Sequence, residues 1–386
     1  MSAQVIYLDH AATSWPKPPD VTAAMSAFLE KAGGNPGRAG HRLSIAAARI
    51  IYDTREALAE LLGVGDPLRL IFTKNATEAI NIVLQGCLRP GDRVVTTGME
   101  HNAVMRPLTA LAQQGVEVVV VPGAKDGRLP VDRLEAAITP GTRLVVAAHA
   151  NNVTGTILPL AEVVAAVRRA GAELLVDAAQ TAGSVPLHVD EMGIDYLAFS
   201  GHKGLLGPPG TGGLAIGRSV RTDALPPLLR GGTGSRSESL TQPEYLPDKY
   251  ESGTPNGVGL AGLGAAVRYI LKRGLAAIQA HEEELRRLLY NGLSASEGVT
   301  VYGNASSAGT AVVSFTIKGL QVSEVGERLD DDYGILCRVG LHCAPAVHRT
   351  IGTFPDGTIR FAPGPFITVE EIKRALEAVR EVAGSA

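Results

Sequence analysis

The chain of 386 residues contains little cysteine, with thiols at Cys87, Cys337 and Cys343 alone. An odd, low number cannot form a fully paired disulfide framework, and it is typical of proteins in a reducing compartment. The spacings of the cysteines and histidines match no standard zinc pattern, so we expect no metal site. Cys87 and Cys337 lie in apolar surroundings in the sequence, which favours a structural role for both.

The sequence also lacks an excess of either charge. Lys and Arg total 36 and Asp and Glu total 39, for a formal net charge of -3. We therefore expect no nucleic-acid or anionic membrane partner. No apolar run approaches the ~18 residues of a membrane span. The stretch Met1 to Asp9 has neither the basic nor the apolar region of a signal peptide, so we expect a soluble, cytoplasmic protein.

What the sequence does contain is a long alternation of apolar runs and helical patterns. Such an alternation predicts an α/β fold with a mainly parallel central sheet covered by helices on both faces. The predicted strands of this sheet are 68–72, 93–97, 116–121, 143–148, 173–176, 196–199 and 213–216. A loop is predicted at 33–41, and a long functional loop at 231–256.

From Val299 onward the pattern changes to that of a smaller α+β unit. Its predicted strands are 310–317, 335–339 and 358–361. The chain is long for a single core, so we predict two domains. Residues 15–260 form the large domain, and residues 1–14 together with 261–386 form the small one.

Polar residues follow five of the predicted strands. In open α/β sheets, ligands bind beyond the carboxyl ends of the strands. These polar clusters therefore predict one site at that edge of the sheet. The clusters are Asn75–Glu78, Glu100–Asn102, Asn151–Asn152, Asp177–Gln180 and Ser200–Lys203.

Lys203 directly follows the buried run at 196–199. Desolvation disfavours an ammonium group and lowers its pKa. A neutral lysine amine can then attack an aldehyde and form a Schiff base. Our hypothesis is that Lys203 carries an aldehyde cofactor, and the alternative is an ordinary loop lysine.

Other residues at the strand ends suit such a cofactor, although each has a simpler explanation. Asp177 can hold a ring nitrogen protonated, or it can cap a helix; Gln180 can face the same site. Thr77 and the helix N-terminus beside it can bind a phosphate, or they form an ordinary cap. His101 can stack on a flat ring, or it is a histidine with satisfied hydrogen bonds in the core or on the surface.

A second cluster lies far downstream, at Arg338 to Cys343 and at Arg360. Basic neighbours favour the thiolate form of Cys343, and the alternative is a small packed apolar residue. Arg360 on a short strand suits bidentate binding of a substrate carboxylate. A structural ion pair is the competing interpretation for Arg360.

Together these motifs resemble the class V aminotransferase group of enzymes that use pyridoxal 5′-phosphate (PLP), with fold type I, and specifically the cysteine desulfurases. The similarity runs from Tyr7-Leu-Asp-His-Ala-Ala-Thr13 to Arg360. Arg338-Val-Gly-Leu-His-Cys343 is similar to the R-x-G-x-H-C motif of the SufS-like group. The other matching motifs are Ser200-Gly-His-Lys203, Val176-Asp-Ala-Ala-Gln180, Glu100-His-Asn102, Asn152 and Gly253-Thr-Pro-Asn256.

The resemblance implies a homodimeric enzyme that converts L-cysteine to L-alanine. It leaves a persulfide on Cys343, for transfer to a sulfur-acceptor protein. Catalysis would fall to Lys203, Cys343 and His101. The resemblance implies that PLP is bound by Asn75, Ala76, Thr77, His101, Asn152, Asp177, Gln180, Ser200, His202, Lys203 and the partner subunit's Thr254. Substrate would be bound by Asn152, Arg338 and Arg360.

The sequence departs from the SufS-like pattern at His10, at Ala346-Val-His348 and at Phe361-Ala-Pro-Gly-Pro-Phe-Ile-Thr368. These departures leave open whether cysteine or selenocysteine is the substrate. The alternative functions are a selenocysteine lyase or another PLP-dependent lyase or aminotransferase of the same family. A catalytically silent scaffold is the non-enzymatic alternative, and the joint presence of Lys203, Asp177, Cys343 and Arg360 argues against it.

Overall fold

The computed structural model of the protein describes residues 5–37 and 40–385. Arg38 and Ala39 of the predicted loop at 33–41 lie outside the described residues. Residues 1–4 and residue 386 also lie outside the described residues. Residues 1–4 begin the stretch Met1 to Asp9, for which no signal peptide is expected, and residues 1–4 and 386 belong to the predicted small domain. Within the described ranges, no helix combines the length and the apolar character that crossing a membrane requires.

The element order alternates strands with helices through the first half of the chain. The strands are β1 (Ile6–Tyr7), β2 (Leu70–Thr73), β3 (Arg93–Thr97), β4 (Glu117–Val121), β5 (Thr142–Ala148), β6 (Glu173–Asp177), β7 (Tyr196–Ser200), β8 (Gly212–Ile216), β9 (Val299–Tyr302), β10 (Val313–Ile317), β11 (Ile335–Leu336), β12 (Arg338–Gly340) and β13 (Thr358–Phe361). The α-helices are α1 (Pro19–Lys31), α2 (Arg42–Leu62), α3 (Ala76–Cys87), α4 (Asn102–Gln113), α5 (Val131–Ala137), α6 (Leu160–Ala170), α7 (Val189–Met192), α8 (Gly257–Arg273), α9 (Leu275–Ser294), α10 (Val322–Asp331), α11 (Pro345–Ile351) and α12 (Val369–Gly384).

A seven-stranded sheet forms the centre of the protein, in the order β2-β8-β7-β6-β5-β3-β4. Strands β3 to β7 pair in parallel, whereas β8 is antiparallel to both β2 and β7. Consequently β2 runs in the same direction as β7, and its carboxyl end reaches the same edge. The predicted α/β fold with a mainly parallel sheet is confirmed.

Alternate residues of the central strands point to opposite faces of this sheet, as the pleat requires. Val94 and Leu144 pack on one face with α3 and α4. Their neighbours Val95 and Val145 pack on the other face, against α6 and α8. Both faces are therefore buried, which explains the uninterrupted apolar runs of these strands.

A separate hydrophobic core surrounds the four-stranded sheet β12-β13-β10-β9. Helix α9 links the two regions, because Ile278 packs in the large core and Leu285 in the smaller one. Ile6 and Leu8 also pack in the smaller core. The division into domains 15–260 and 1–14 with 261–386 stays a prediction.

The segment that leads into the motif from Arg338 to Cys343 differs from its prediction. The predicted strand 335–339 is two short strands that belong to different sheets, β11 paired in parallel with β1 and β12 paired with β13. Strand β1 pairs with the first half of the predicted strand, so the chain changes its pairing partner at Cys337. Strand β10 is also shorter than its predicted range of 310–317, because Thr310 hydrogen-bonds to Gly155 instead.

Candidate active site

A small pocket of about 50 Å³ opens at the carboxyl edge of the central sheet. All five polar clusters contribute side chains to it, because the strands that carry them end at one edge. The contributing residues include Ala76 and Thr77 after β2, His101 after β3, Asn152 after β5, Asp177 and Gln180 after β6, and Ser200 and Lys203 at and after β7.

Lys203 lines the pocket just after the end of β7, and its side chain is partly buried. Burial is the main cause that lowers the pKa of its ammonium group to about 8. The charges of Arg360 and Arg338 lower this pKa further, whereas Asp177 and Cys343 raise it. A substantial fraction of the amine is therefore neutral near physiological pH, as a nucleophile or base requires.

Asp177 ends β6 and is buried. Its Oδ1 accepts a hydrogen bond from the Ala179 backbone N–H at 2.9 Å. Burial raises the pKa of this carboxyl, and Lys203 opposes the rise. A buried carboxylate is most stable with a cationic partner, so Asp177 suits a protonated ring nitrogen.

His101 caps helix α4, and its orientation follows from that cap. Nδ1 accepts a hydrogen bond from the Ala103 N–H at 3.0 Å. Burial, followed by the charge of Lys203, lowers the pKa of the imidazole to about 4. The ring is therefore neutral, and its proton is on Nε2, which is free of the cap.

The N-terminus of helix α3 meets the end of β7. Asn75 caps the helix by accepting from the Glu78 N–H at 3.0 Å, and the Ala76 N–H donates to Ser200 Oγ at 3.1 Å. Gly212 allows this close approach, because a Cβ there would lie 2.6 Å from the Asn75 Cα. The exposed Thr77 completes a group of N–H and hydroxyl donors that suits a phosphate.

The segment after β1 packs against the site. Gln180 Nε2 donates to the Ala11 carbonyl at 3.1 Å. The His202 carbonyl accepts from Lys17 Nζ at 3.1 Å and from Ser14 Oγ at 3.0 Å. Burial and the nearby lysines lower the pKa of His202 to about 4, with Lys203 contributing more than Lys17.

Arg360 is almost fully buried, with 1% of its surface exposed. Its Nη2 donates to Asp9 Oδ1 at 2.6 Å, and Nη1 donates to the Asn152 carbonyl at 3.1 Å. Its Nε is buried without a hydrogen-bond partner among the described residues. An ion pair and an unsatisfied donor thus coexist on one guanidinium, and the donor suits a carboxylate.

Cys343 is exposed, next to the buried His342. Arg338 Nη2 lies 3.4 Å from its Sγ. The Asn102 N–H donates to the Cys343 carbonyl at 2.9 Å, which fixes this loop against the N-terminus of α4. Asn152 also donates to the His342 carbonyl at 2.7 Å, so hydrogen bonds join the downstream cluster to the strand ends that carry Asn102 and Asn152.

The structure does not place every predicted residue in the pocket wall. The predicted residues outside its lining are Asn75, His202, Arg338, Cys343 and Arg360. Thr254 is exposed on a separate groove, where Asn35 Nδ2 donates to its Oγ1 at 3.4 Å. The roles of all these residues stay predictions.

For two acidic residues beside the site the sequence predicted no role. Asp9 pairs with Arg360, and it follows a strand just as Asp177 does, which is the signal that could have identified it. Glu100 Oε1 accepts from Thr97 Oγ1 at 2.5 Å and from the Ala148 N–H at 3.1 Å. Burial raises the pKa of Glu100 to about 8, so this carboxyl is mostly protonated at neutral pH.

Comparisons with known proteins all identify the same family. The family model described as aminotransferase class-V matches residues 6–375. A relative named "Probable cysteine desulfurase" from Methanothermobacter thermautotrophicus is 36% identical over 382 residues. That alignment covers 98% of this chain and 95% of the relative.

Solved structures give the same result. The apo structure of a cysteine desulfurase from Thermococcus onnurineus NA1 is similar with a TM-score of 0.92 and 35% identity, covering 99% of this chain and 95% of that chain. The cysteine desulfurase CsdA from Escherichia coli has a TM-score of 0.88 and 31% identity, with the same coverage of 99% and 95%.

Proposed function

Because this chain belongs to the class V aminotransferase family, with the PLP fold type I, we propose that it is a PLP-dependent cysteine desulfurase. It converts L-cysteine to L-alanine and leaves a persulfide on Cys343. The observation that carries the proposal is that Asn152, which lines the pocket of Lys203, donates a hydrogen bond to the carbonyl of His342, the residue before Cys343. A lysine with a lowered pKa and a cysteine beside an arginine are the two groups that this reaction needs.

The residues of the pocket fit PLP. Lys203 would hold the aldehyde carbon, and Asp177 would pair with the protonated ring nitrogen. His101 would stack on the ring. Phosphate would be held by Asn75, Ala76, Thr77, Ser200 and His202, and Gln180 and Asn152 would bind the phenolic oxygen. When bound, PLP supplies an electron sink that stabilises negative charge at the substrate Cα.

The protein's own groups have separate roles in the reaction. Arg360, through its unpartnered Nε, and Asn152 would bind the carboxylate of L-cysteine. Released Lys203, with its pKa of about 8, would take the proton from Cα. The thiolate of Cys343, with Arg338 beside its Sγ, would attack the substrate sulfur. An S–S bond would form as the substrate Cβ–S bond breaks; the electron pair of that bond would stay with the carbon fragment, which takes up a proton at Cβ and leaves as alanine.

The finer parts of the proposal concern assembly and sulfur transfer. We place the chain in the SufS-like group, on the motif from Arg338 to Cys343. The chain would form a homodimer in the cytoplasm, and the partner's Thr254 would complete each phosphate site. The exposed position of Thr254, on a groove with the partly exposed Tyr52 and Leu229, supports this arrangement. Because Cys343 is exposed, an acceptor protein could reach its persulfide.

The test uses the purified protein. We expect it to bind PLP with a yellow colour, and borohydride should fix the cofactor covalently on Lys203. Incubation with L-cysteine should yield alanine and, with a reductant, sulfide in equal amounts. Protein that takes up no PLP, or that forms no alanine from cysteine, would contradict the proposal. Faster turnover of selenocysteine, with no dependence on Cys343, would indicate a selenocysteine lyase.

A further inference from the structure

The loop that carries Cys343 has an unfavourable backbone conformation. His342 and Cys343 have φ angles of +47° and +58°. For residues other than glycine, the left-handed region is unfavourable, because it brings Cβ too close to the following carbonyl oxygen. A loop of this kind keeps its conformation only where contacts from its surroundings hold it. The identity of those contacts therefore decides where the thiol is.

One of these contacts comes from Asn152. Its Nδ2 donates to the His342 carbonyl oxygen at 2.7 Å, in a buried position. A carbonyl can only accept, so the nitrogen of the amide must face the loop. The same nitrogen carries a second hydrogen, and Asn152 lines the Lys203 pocket. One amide group can therefore donate one hydrogen bond to the loop and another to a ligand in the pocket.

The other contacts of the loop differ from this one. The Asn102 contact uses a backbone N–H, which cannot turn away. His342 Nε2 lies 3.0 Å from Thr358 Oγ1, on β13 and outside the pocket lining. Arg360 holds the Asn152 backbone through its carbonyl, so the side chain is the part of Asn152 that is free to rotate. Asn152 is thus the one loop contact here whose side chain also reaches the pocket.

We propose that Asn152 is a positioning residue that couples occupancy of the Lys203 pocket to the conformation of the Cys343 loop. A ligand atom that accepts the second N–H fixes the amide and thereby holds its bond to His342. Without a ligand the amide turns more freely, and the loop leaves the strained conformation more often. By linkage, the held loop increases ligand affinity by the same factor. The inference deepens the proposed function, on which it rests for the choice of PLP as the ligand.

Hydrogen–deuterium exchange of the loop amides, measured by mass spectrometry with and without PLP, tests this coupling. In the wild-type protein, PLP should slow exchange in peptides that cover residues 340–346 by at least about 5-fold. In Asn152→Ala, exchange without PLP should already be about 5-fold faster than in the wild type, because a hydrogen bond is lost. Addition of PLP should then change it less than about 2-fold. Asn152→Ser keeps one donor and should give an intermediate effect.

Thr358→Val is the matched control, because it removes another anchor of the same loop without touching the pocket. Exchange should rise without PLP, but the effect of PLP should be retained. An unchanged PLP effect in Asn152→Ala would overturn the inference. If Asn152→Ala does not take up PLP, the two proteins are compared without PLP. Exchange in Asn152→Ala at the wild-type rate would then overturn the inference. Hydrogen exchange can be measured without turnover. A wild-type protein that binds PLP but forms no alanine would therefore contradict the proposed function and leave the inference on Asn152 intact.

Discussion

The surroundings of Lys203 and those of Cys343 are built in different ways. Lys203 follows a regular strand in the middle of a seven-stranded sheet, and its neighbours come from the ends of adjacent strands. Cys343 is exposed, but it lies on a short left-handed loop between the buried residues His342 and Ala344. Two of the hydrogen bonds that hold this loop come from distant segments, one from Asn102 and one from Asn152, which is 190 positions from His342. The first arrangement follows from sheet geometry, whereas the second depends on a few long-range contacts.

This difference indicates a division of tasks. A sheet edge holds several groups at fixed positions, as a bound cofactor requires. A short strained loop can change its conformation at little cost, as a thiol that must first meet substrate and then deliver sulfur requires. We therefore expect substitutions in the two regions to separate cofactor binding from sulfur chemistry.

The largest effect is expected from Lys203→Ala. This change removes the covalent attachment and the proton acceptor together, so alanine formation should fall by at least about 10³-fold. The absorbance of bound PLP should also change, because the cofactor is no longer attached to the protein. Lys17→Ala, at a nearby lysine outside the pocket lining, is the control and should keep the absorbance. Retention of both absorbance and activity in Lys203→Ala would show that the cofactor lysine is wrongly assigned.

Cys343→Ser should remove sulfur release while keeping the cofactor. We expect alanine formation from L-cysteine to fall by about 10²-fold or more, because the hydroxyl is a much weaker nucleophile than the thiolate. PLP absorbance and borohydride fixation should be unchanged. Cys337→Ser, in the neighbouring strand segment, is the control. Sulfur release at the wild-type rate in Cys343→Ser would rule out the persulfide route.

Arg360→Lys should act mainly on substrate binding. Lysine cannot reproduce the planar pattern of donors that arginine directs to Asp9, to the Asn152 carbonyl and to a substrate carboxylate. Loss of a charge-assisted hydrogen bond costs about 1.5–3 kcal/mol, so KM for L-cysteine should rise about 10-fold to 100-fold. Steady-state kinetics measures this. A fall in kcat with unchanged KM would instead indicate a structural ion pair.

The pH dependence of PLP capture by the PLP-free protein should report on Lys203. The neutral amine is the nucleophile, and the pKa of Lys203 is lowered to about 8. The rate of capture should therefore rise with pH up to about 8 and level off above it. Stopped-flow absorbance measures the rate. His101, with its pKa near 4, contributes no change in this range. A rate that continues to rise to pH 10 would mean that Lys203 has an ordinary pKa.

The smallest effect is expected from Ser200→Ala. Ser200 Oγ accepts the Ala76 N–H in the core of the site, and its removal leaves this donor buried and unpaired. The free energy of unfolding should fall by about 1–3 kcal/mol, and PLP should bind up to about 10-fold more weakly. Chemical denaturation and a PLP titration measure the two effects. Ser219→Ala, at an exposed serine, should change stability by less than about 0.5 kcal/mol.

The sequence predicted the Lys203 side of the site well for a physical reason. Apolar strands and the polar residues after them are local patterns, and parallel strands bring their carboxyl ends to one edge. Asp177, Asn152 and Thr77 could therefore be assigned to one pocket without knowledge of their contacts. The seven strands of the central sheet lie within two residues of their predicted ranges.

The Cys343 side could not be predicted to the same depth. The motif indicated that Cys343 is near Arg338, but no local pattern encodes the hydrogen bond from Asn152 to His342. The partner of Arg360 was also missed, because Asp9 is separated from it by 351 positions. The split of the predicted strand at Cys337 has the same cause, since the pairing of β11 is with the N-terminal strand.

The pairing of β1 with β11 has a consequence for how the protein is made. During synthesis Ile6 and Leu8 are translated before all the other described residues of the smaller core, and β11 follows more than three hundred residues later. Their apolar side chains must remain without a native partner while more than three hundred residues are added. A polypeptide emerging at roughly 5–20 residues per second spends tens of seconds in this state. Ile6 and Leu8 are thus exposed to chaperones for longer than any other described residue of the smaller core.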